Sequence, residues 1–438
     1  MGLDECALTN AQSESPTDQG GGAIAVPPRR PRLGRRLLII TLSPSPYTHL
    51  CSPYPSPPCA APSTMLYIAT IALALATQPE VEVHPERQAQ IDAVAKAGAK
   101  WVAKAHPRFA SFRPGASMSL LGVKGDWAQD ISEHIAKGLV EPFVPQNANM
   151  AIPDSFDSAT FWPQCSKSIG MIRDQSNCGC CWAFGGSEAA SDRMCIATNA
   201  SMLFPLSDQD ICFNSNYNGC GGGQISTPWT YISSKGVVTG GLYKNSEGQD
   251  TGFKGMCSDF SLPHCHHHGP TKDDPWPAEG TPGCPSEHSP QGPTTCDPTA
   301  SPSHSSFAAD KITFAGRPVS ASGEQAIQQM IMEAGPVETA FTVYSDFEDY
   351  DTGIYHHVSG SMAGGHAVKF VGWGVENGVK YWKVQNSWNP FWGEKGYFRI
   401  VRGNNEGGIE SSVMGSPTGA QWGKKSEMDA AKAKMVEA

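Results

Sequence analysis

Eleven of the fourteen cysteines fall between Cys165 and Cys296, and none follows. This distribution constrains the fold more than any other feature. Thiols gathered in one stretch can hold a metal, cross-link the chain or supply a reactive sulfur, and each choice demands different partners. In a secreted chain such a concentration reads as a disulfide framework, because oxidising compartments let the bonds persist. The densest point is "SNCGCCWAFGG", residues 176–186, where Cys178, Cys180 and Cys181 lie within four positions.

Secretion is expected from "MLYIATIALALATQPE", which begins at Met65. Its apolar core, Leu66 to Leu75, and the small-x-small pattern Ala74-Leu75-Ala76 read as a signal peptide over 65–76, although no positive region follows Met65. The run is too short to span a bilayer. Residues 1–64 are rich in Pro, Ser and Arg and read as a disordered leader or a mis-assigned upstream segment. We favour translation from Met65. The alternative is a bipartite leader in which "RRLLIITL", 35–42, adds a targeting signal. Net charge is −10 and no long Lys/Arg run follows the first 40 residues, which argues against nucleic acid or an anionic membrane as the main partner.

Residues 77–150 contain no cysteine. "QAQIDAVAKAGAKWVAKA" places Ile91, Val94, Ala95, Trp101 and Val102 at helical spacing, with Gly98 on the same stripe, and "DWAQDISEHIAKGL", 126–139, predicts a second short helix. A helical segment between a signal and a cysteine-rich body fits a removable pro-segment. The plainer alternative is a small subdomain that stays attached. The body, 151–416, has a helix candidate from Cys181 to about Ala197, then strand patterns in "HAVKFVGWGV", "YWKVQNSW" and "GYFRIVRG". Helices first and strands later, without βαβ alternation, predict an α+β fold of two lobes around a cleft. The tail, 417–438, is a charged, Ala-rich helix candidate with no functional account.

Cys178, Cys180 and Cys181 are too crowded for the spaced pairs of a zinc site, so no metal is expected there. A nucleophilic thiol needs surroundings that favour thiolate, and a helix start supplies them. Cys181 stands at that start, Cys178 in the approach loop is better placed for a bridge, and Cys180 has no evident role. A thiol nucleophile also needs a base and an orienter. "GGHAVKF" offers His366, "VQNSW" offers Asn386 to accept the imidazole N–H, and Trp388 can cover that bond. Gln175, six residues before Cys181, can donate to an oxyanion together with the Cys181 backbone N–H.

"DQSNCGCCWAFGGSEAASDR", "NGCGGG", "GPVETAFTVYSDF", "GGHAVKFVGWGVENGVKYWKVQNSW" and "GIES" resemble papain-type cysteine proteases, most closely cathepsin B, over about 152–416. The resemblance implies a papain-like two-lobed fold and a zymogen needing no cofactor. Its partners would be peptide and protein substrates and its own pro-segment as inhibitor. It also implies a lysosome-like vesicle, a digestive vacuole or the extracellular space, and a monomer. Two departures are visible. Cys180 occupies the slot that is Ser or Ala in the family, and His366 and Asn386 lie farther downstream than usual.

The resemblance implies an occluding loop near 257–284, which would account for that spacing. By resemblance, His267 and His268 in "FSLPHCHHHGPTKDDPWP" hold a substrate's C-terminal carboxylate and favour release of C-terminal dipeptides, and Asp174 anchors one of them. The same His run can be read as a solvated turn or, with Cys257 and Cys265, as a metal site. The family pattern implies the bridges Cys165–Cys195, Cys178–Cys220, Cys212–Cys284 and Cys257–Cys296, leaving Cys180 and Cys265 unpaired. No second cysteine closes the loop onto Cys265, which predicts a looser loop and more endopeptidase activity. Gly222 and Gly223 match the glycines that pair with an extended substrate. Ser412 stands where the family has an acidic residue in the second specificity pocket, which predicts a preference for hydrophobic residues over Arg there. Asn199-Ala200-Ser201 is a glycosylation sequon.

Overall fold

The computed structural model describes residues 82–215, 218–241, 253–263 and 287–437. The signal-peptide reading at 65–76, Cys265, His267, His268 and Cys284 lie outside them. The helices that organise the fold are α1 (Pro85–Lys96), α2 (Trp127–Ala136), α3 (Cys181–Ala197), α4 (Asp208–Asn214), α5 (Ser226–Lys235), α6 (Glu324–Ala334) and α7 (Lys425–Glu437). No helix among the described residues is long and apolar enough to cross a membrane.

The strands are β1 (Trp101–Ala103), β2 (Glu141–Pro142), β3 (Phe156–Asp157), β4 (Ile312–Phe314), β5 (Val319–Ala321), β6 (Val337–Tyr344), β7 (Tyr350–Tyr355), β8 (Met362–Glu376), β9 (Val379–Gln385), β10 (Tyr397–Val401), β11 (Val413–Gly415) and β12 (Trp422–Lys424). One sheet runs β1-β7-β10-β9-β8-β6-β11-β5-β2, with β3 also on β8, and β12 pairs β4 apart from it. Both edges, β1 and β2, come from the segment before residue 150. Beside the residues that follow, that segment is part of the sheet, not a separate body.

Two cores match the expected α+β division. One gathers Trp182, Phe184, Ile211 and Trp229 around α3, α4 and α5, and the other gathers Phe341, Phe370, Trp382 and Trp388 on the sheet. The α3 helix is buried along nearly its whole length. It packs along β6 and β8, with Gly185 and Gly186 against Glu338 and Asp192 paired with Lys369 at 2.6 Å.

The structure corrects two expectations. The first helix does not continue to Trp101: it stops at Lys96, and Gly98 takes a left-handed φ of 65°. Trp101 instead opens β1, opposite Gly353, with its ring centroid 5.1 Å from that of Tyr355 and its Nε1 donating to His356 O at 2.9 Å. Burying an indole on the sheet outweighs the helical periodicity of an Ala/Lys-rich stretch. Second, Cys212 is bonded to Cys180, so the Cys212–Cys284 pairing and the unpaired Cys180 do not hold. Cys180 precedes α3 and points into the helical core where α4 carries Cys212, and the two Cα atoms are 6.1 Å apart, within bridging distance. Cys165–Cys195, Cys178–Cys220 and Cys257–Cys296 form as expected.

Candidate active site

Cys181 is the first residue of α3 and the one free cysteine among the described residues. Its side chain is fully buried. The nearby backbone amides of Ala367, the residue after His366, and of Trp182 favour its ionised form, against the larger effect of burial. His366 lies on β8 opposite Phe341 of β6. Its Nε2 is 2.8 Å from Asn386 Oδ1, just past the end of β9, and Trp388 packs on the imidazole with centroids 4.9 Å apart. The strand ends at Gln385, so the alternation expected to carry on through Asn386 and Trp388 stops short of them; the segment after the strand brings both to the ring. His366 Nδ1 is buried without a hydrogen-bond partner among the described residues, which leaves it available for the thiol side of the ring.

Gln175 sits in the loop before α3. Its Nε2 donates to Cys178 O at 2.7 Å and to Leu120 O at 2.8 Å. Ser387, which the sequence reading passed over, accounts for that orientation. Its hydroxyl donates to Gln175 Oε1 at 2.7 Å and its carbonyl accepts from Gln175 N at 3.0 Å. Its position beside Asn386 in "QNSW" was the available signal. Asp174 Oδ1 accepts from Ser176 N at 2.7 Å, which shapes the same loop.

The segment 120–124 runs through the cleft. Gly122 N donates to Cys181 Sγ at 3.2 Å, Gly223 N to Gly122 O at 2.8 Å, Lys124 N to Gly223 O at 3.1 Å, and Val123 N to Gly365 O at 3.0 Å. Gly222 has φ of 111°, and a Cβ there would overlap Gly122 O. Of the two glycines assigned to substrate pairing, Gly223 therefore already pairs with the chain's own backbone and Gly222 lies against it. Farther along, Arg108 Nη2 reaches Ser176 O at 2.9 Å, and Arg87 is buried between Glu348 (2.7 Å) and Asp349 (2.8 Å).

Burial sets the protonation states. Burial pushes the Cys181 thiol up to about 11 and the His366 imidazole down to about 4. Both are neutral around pH 5 to 8, although the helix start was expected to favour the thiolate. Cys257 is bridged and offers no thiolate to a metal. The sulfurs of Cys178, Cys180 and Cys212 converge within 4.8 Å, but all belong to disulfides. Ser412 is buried, with its carbonyl accepting from Thr339 Oγ1 at 3.3 Å. Asn199 is exposed in the turn after α3, with φ of 47°.

The family "Papain family cysteine protease" matches residues 152–416. Cathepsin B-like cysteine proteinase 6 of Caenorhabditis elegans is 40% identical over 320 residues, covering 72% of this chain and 79% of that protein. The cathepsin B-like cysteine proteinase of Schistosoma japonicum is 42% identical over 273 residues, 61% of this chain and 73% of that protein. Among solved structures, proCathepsin B S9 from Trypanosoma congolense aligns with a TM-score of 0.58 at 27% identity, covering 75% of this chain and 96% of that one.

Proposed function

The chain belongs to the papain family of cysteine proteases, and on that premise we propose that it is a zymogen. Its mature form would hydrolyse peptide bonds through Cys181, His366 and Asn386, as an endopeptidase that also releases C-terminal dipeptides. The observation that carries the reading is the free, buried thiol at the tip of α3 together with an imidazole, His366, held by Asn386 at 2.8 Å.

Once 120–124 leaves, water returns to the cleft and the penalty on charge falls. His366 takes the Cys181 proton, and the thiolate attacks the scissile carbonyl. Gln175 Nε2, released from Leu120 O, and the Cys181 N–H hold the oxyanion. His366 then protonates the leaving amine, and water hydrolyses the thioester. The histidines of the loop, His267 and His268, would hold a substrate carboxylate. A loop without a second cysteine for Cys265 favours endopeptidase over dipeptide release, which tight inhibition by a C-terminal carboxylate mimic would contradict. Ser412 leaves an arginine in the second pocket without a counter-charge, so hydrophobic residues are preferred there; Ser412→Glu should raise arginine acceptance, and no change would remove Ser412 from the pocket. We assign the protein to an acidic compartment of the secretory pathway or its exterior, with an accessible sequon at Asn199.

The test is digestion of a peptide library by the processed protein, with titration by an epoxide that alkylates active-site thiols. Stoichiometric labelling and cleavage, both lost in Cys181→Ala, are expected. A processed wild type that neither labels nor cleaves is a silent binding protein instead.

A further inference from the structure

The Sγ atoms of Cys178, Cys180 and Cys212 lie within 4.8 Å of one another, yet they belong to two bridges, Cys178–Cys220 and Cys180–Cys212. Cys178, Cys180 and Cys212 are fully buried, whereas Cys220 is only partly buried. Exchange between disulfides requires a thiolate within reach of a sulfur of the second bond. Here one bridge ends on a partly buried residue, Cys220, and has its other sulfur beside the neighbouring bridge. The segment these bonds pin is the one that carries Cys181: Cys180 N donates to Cys178 O at 2.7 Å, and Ala183 N to Cys180 O at 2.8 Å.

We propose that the two bridges form a thiol–disulfide exchange site that takes low-molecular-weight thiols of the glutathione class. The chemistry of exchange is independent of peptide hydrolysis; only its effect on activity rests on the function proposed above. A thiolate RS⁻ attacks Cys220 Sγ, forming Cys220–S–S–R and expelling the Cys178 thiolate. Cys178 then attacks Cys212 Sγ, forming Cys178–Cys212 and expelling the Cys180 thiolate, which takes up a proton. Cys212 is the sulfur attacked because a Cys178–Cys180 bond would have to close over Gly179 alone. One thiol is consumed and one released, with no net oxidation. The product carries a free thiol immediately before Cys181 and a re-routed oxyanion loop.

The test uses the full chain with Cys181→Ala, so that the nucleophile takes no part, held in glutathione buffers of graded poise, quenched with acid and mapped by mass spectrometry. The expected result is a glutathione adduct on Cys220 with a Cys178–Cys212 cross-link, at poises where Cys165–Cys195 and Cys257–Cys296 persist. Loss of all four bridges together, or Cys212 joined to a different cysteine from the outset, overturns the proposal. In a second arm, processed wild type and the double variant Cys180→Ser/Cys212→Ser are compared. Activity per titrated Cys181 should fall several-fold with reducing poise only in the wild type, and equal responses count against the site. Should the double variant not fold, or the protein lack peptidase activity, the mapping arm decides alone.

Discussion

Gly122 donates its backbone N–H to the Cys181 sulfur at 3.2 Å, so the chain's own backbone holds the proposed nucleophile. A Cβ on Gly122 would overlap the carbonyl of Gly179, so this approach admits glycine alone. Gly122→Ala should therefore loosen the pro-segment without touching the mature site. We expect peptidase activity of the unprocessed chain to rise about tenfold, equivalent to about 1.4 kcal/mol of lost inhibition. An unprocessed variant as silent as wild type would show that residue 122 does not set the block.

The covered cleft holds His366 neutral, down to about 4 against an ordinary 6.5. A group with a depressed value takes up a proton when exposed at intermediate pH. Uncovering is thus favoured as pH falls from 6.5 towards 4, by up to about 3 kcal/mol at the full shift. Above 6.5 His366 contributes no slope. Tryptophan fluorescence of the full chain with Cys181→Ala, recorded from pH 8 to 4, should report pro-segment release rising below 6.5. A flat profile through that window would count against the coupling.

Arg87 joins two carboxylates that burial otherwise penalises, and burial raises Asp349 to about 6 despite the guanidinium. Glu348 also accepts from Ser117 N at 2.7 Å. Arg87→Leu leaves both carboxylates buried without a cation, at a cost of about 3–5 kcal/mol to the full chain. The loss should shrink below pH 6, where Asp349 can take a proton. Thermal unfolding at pH 7.5 and pH 5 checks both the size and the direction.

Gln175 is oriented by Ser387 through both its carbonyl oxygen and its backbone N–H. Gln175→Ala should lower kcat of the processed enzyme about 10²–10³-fold with little change in KM, as for loss of one oxyanion donor. Ser387→Ala should reproduce a smaller part of that loss by letting the amide rotate. If KM rises instead and kcat holds, Gln175 binds substrate and does not stabilise the oxyanion.

Local patterns announced the parts of the site. Cys181 opens a helix because "CWAFGGSEAASDRMCIA" is helical from that residue, and Trp382 and Val384 share the buried face of their strand because strands alternate, whereas Asn386 and Trp388 lie beyond the strand end at Gln385. Three of four bridges followed from the order of the cysteines once the family resemblance was seen. What chain order could not decide was set by neighbours distant in sequence. Trp101 left its helix because Tyr350 and Tyr355, some 250 residues on, offered a surface to bury an indole. Cys180 found Cys212 because α3 and α4 pack side by side, a relation no spacing encodes. The protonation of Cys181 and His366 was likewise a tertiary outcome. The helix start favours thiolate in isolation, but burial of both side chains in the assembled fold removes the water that a charge requires, and that desolvation is the largest influence on each.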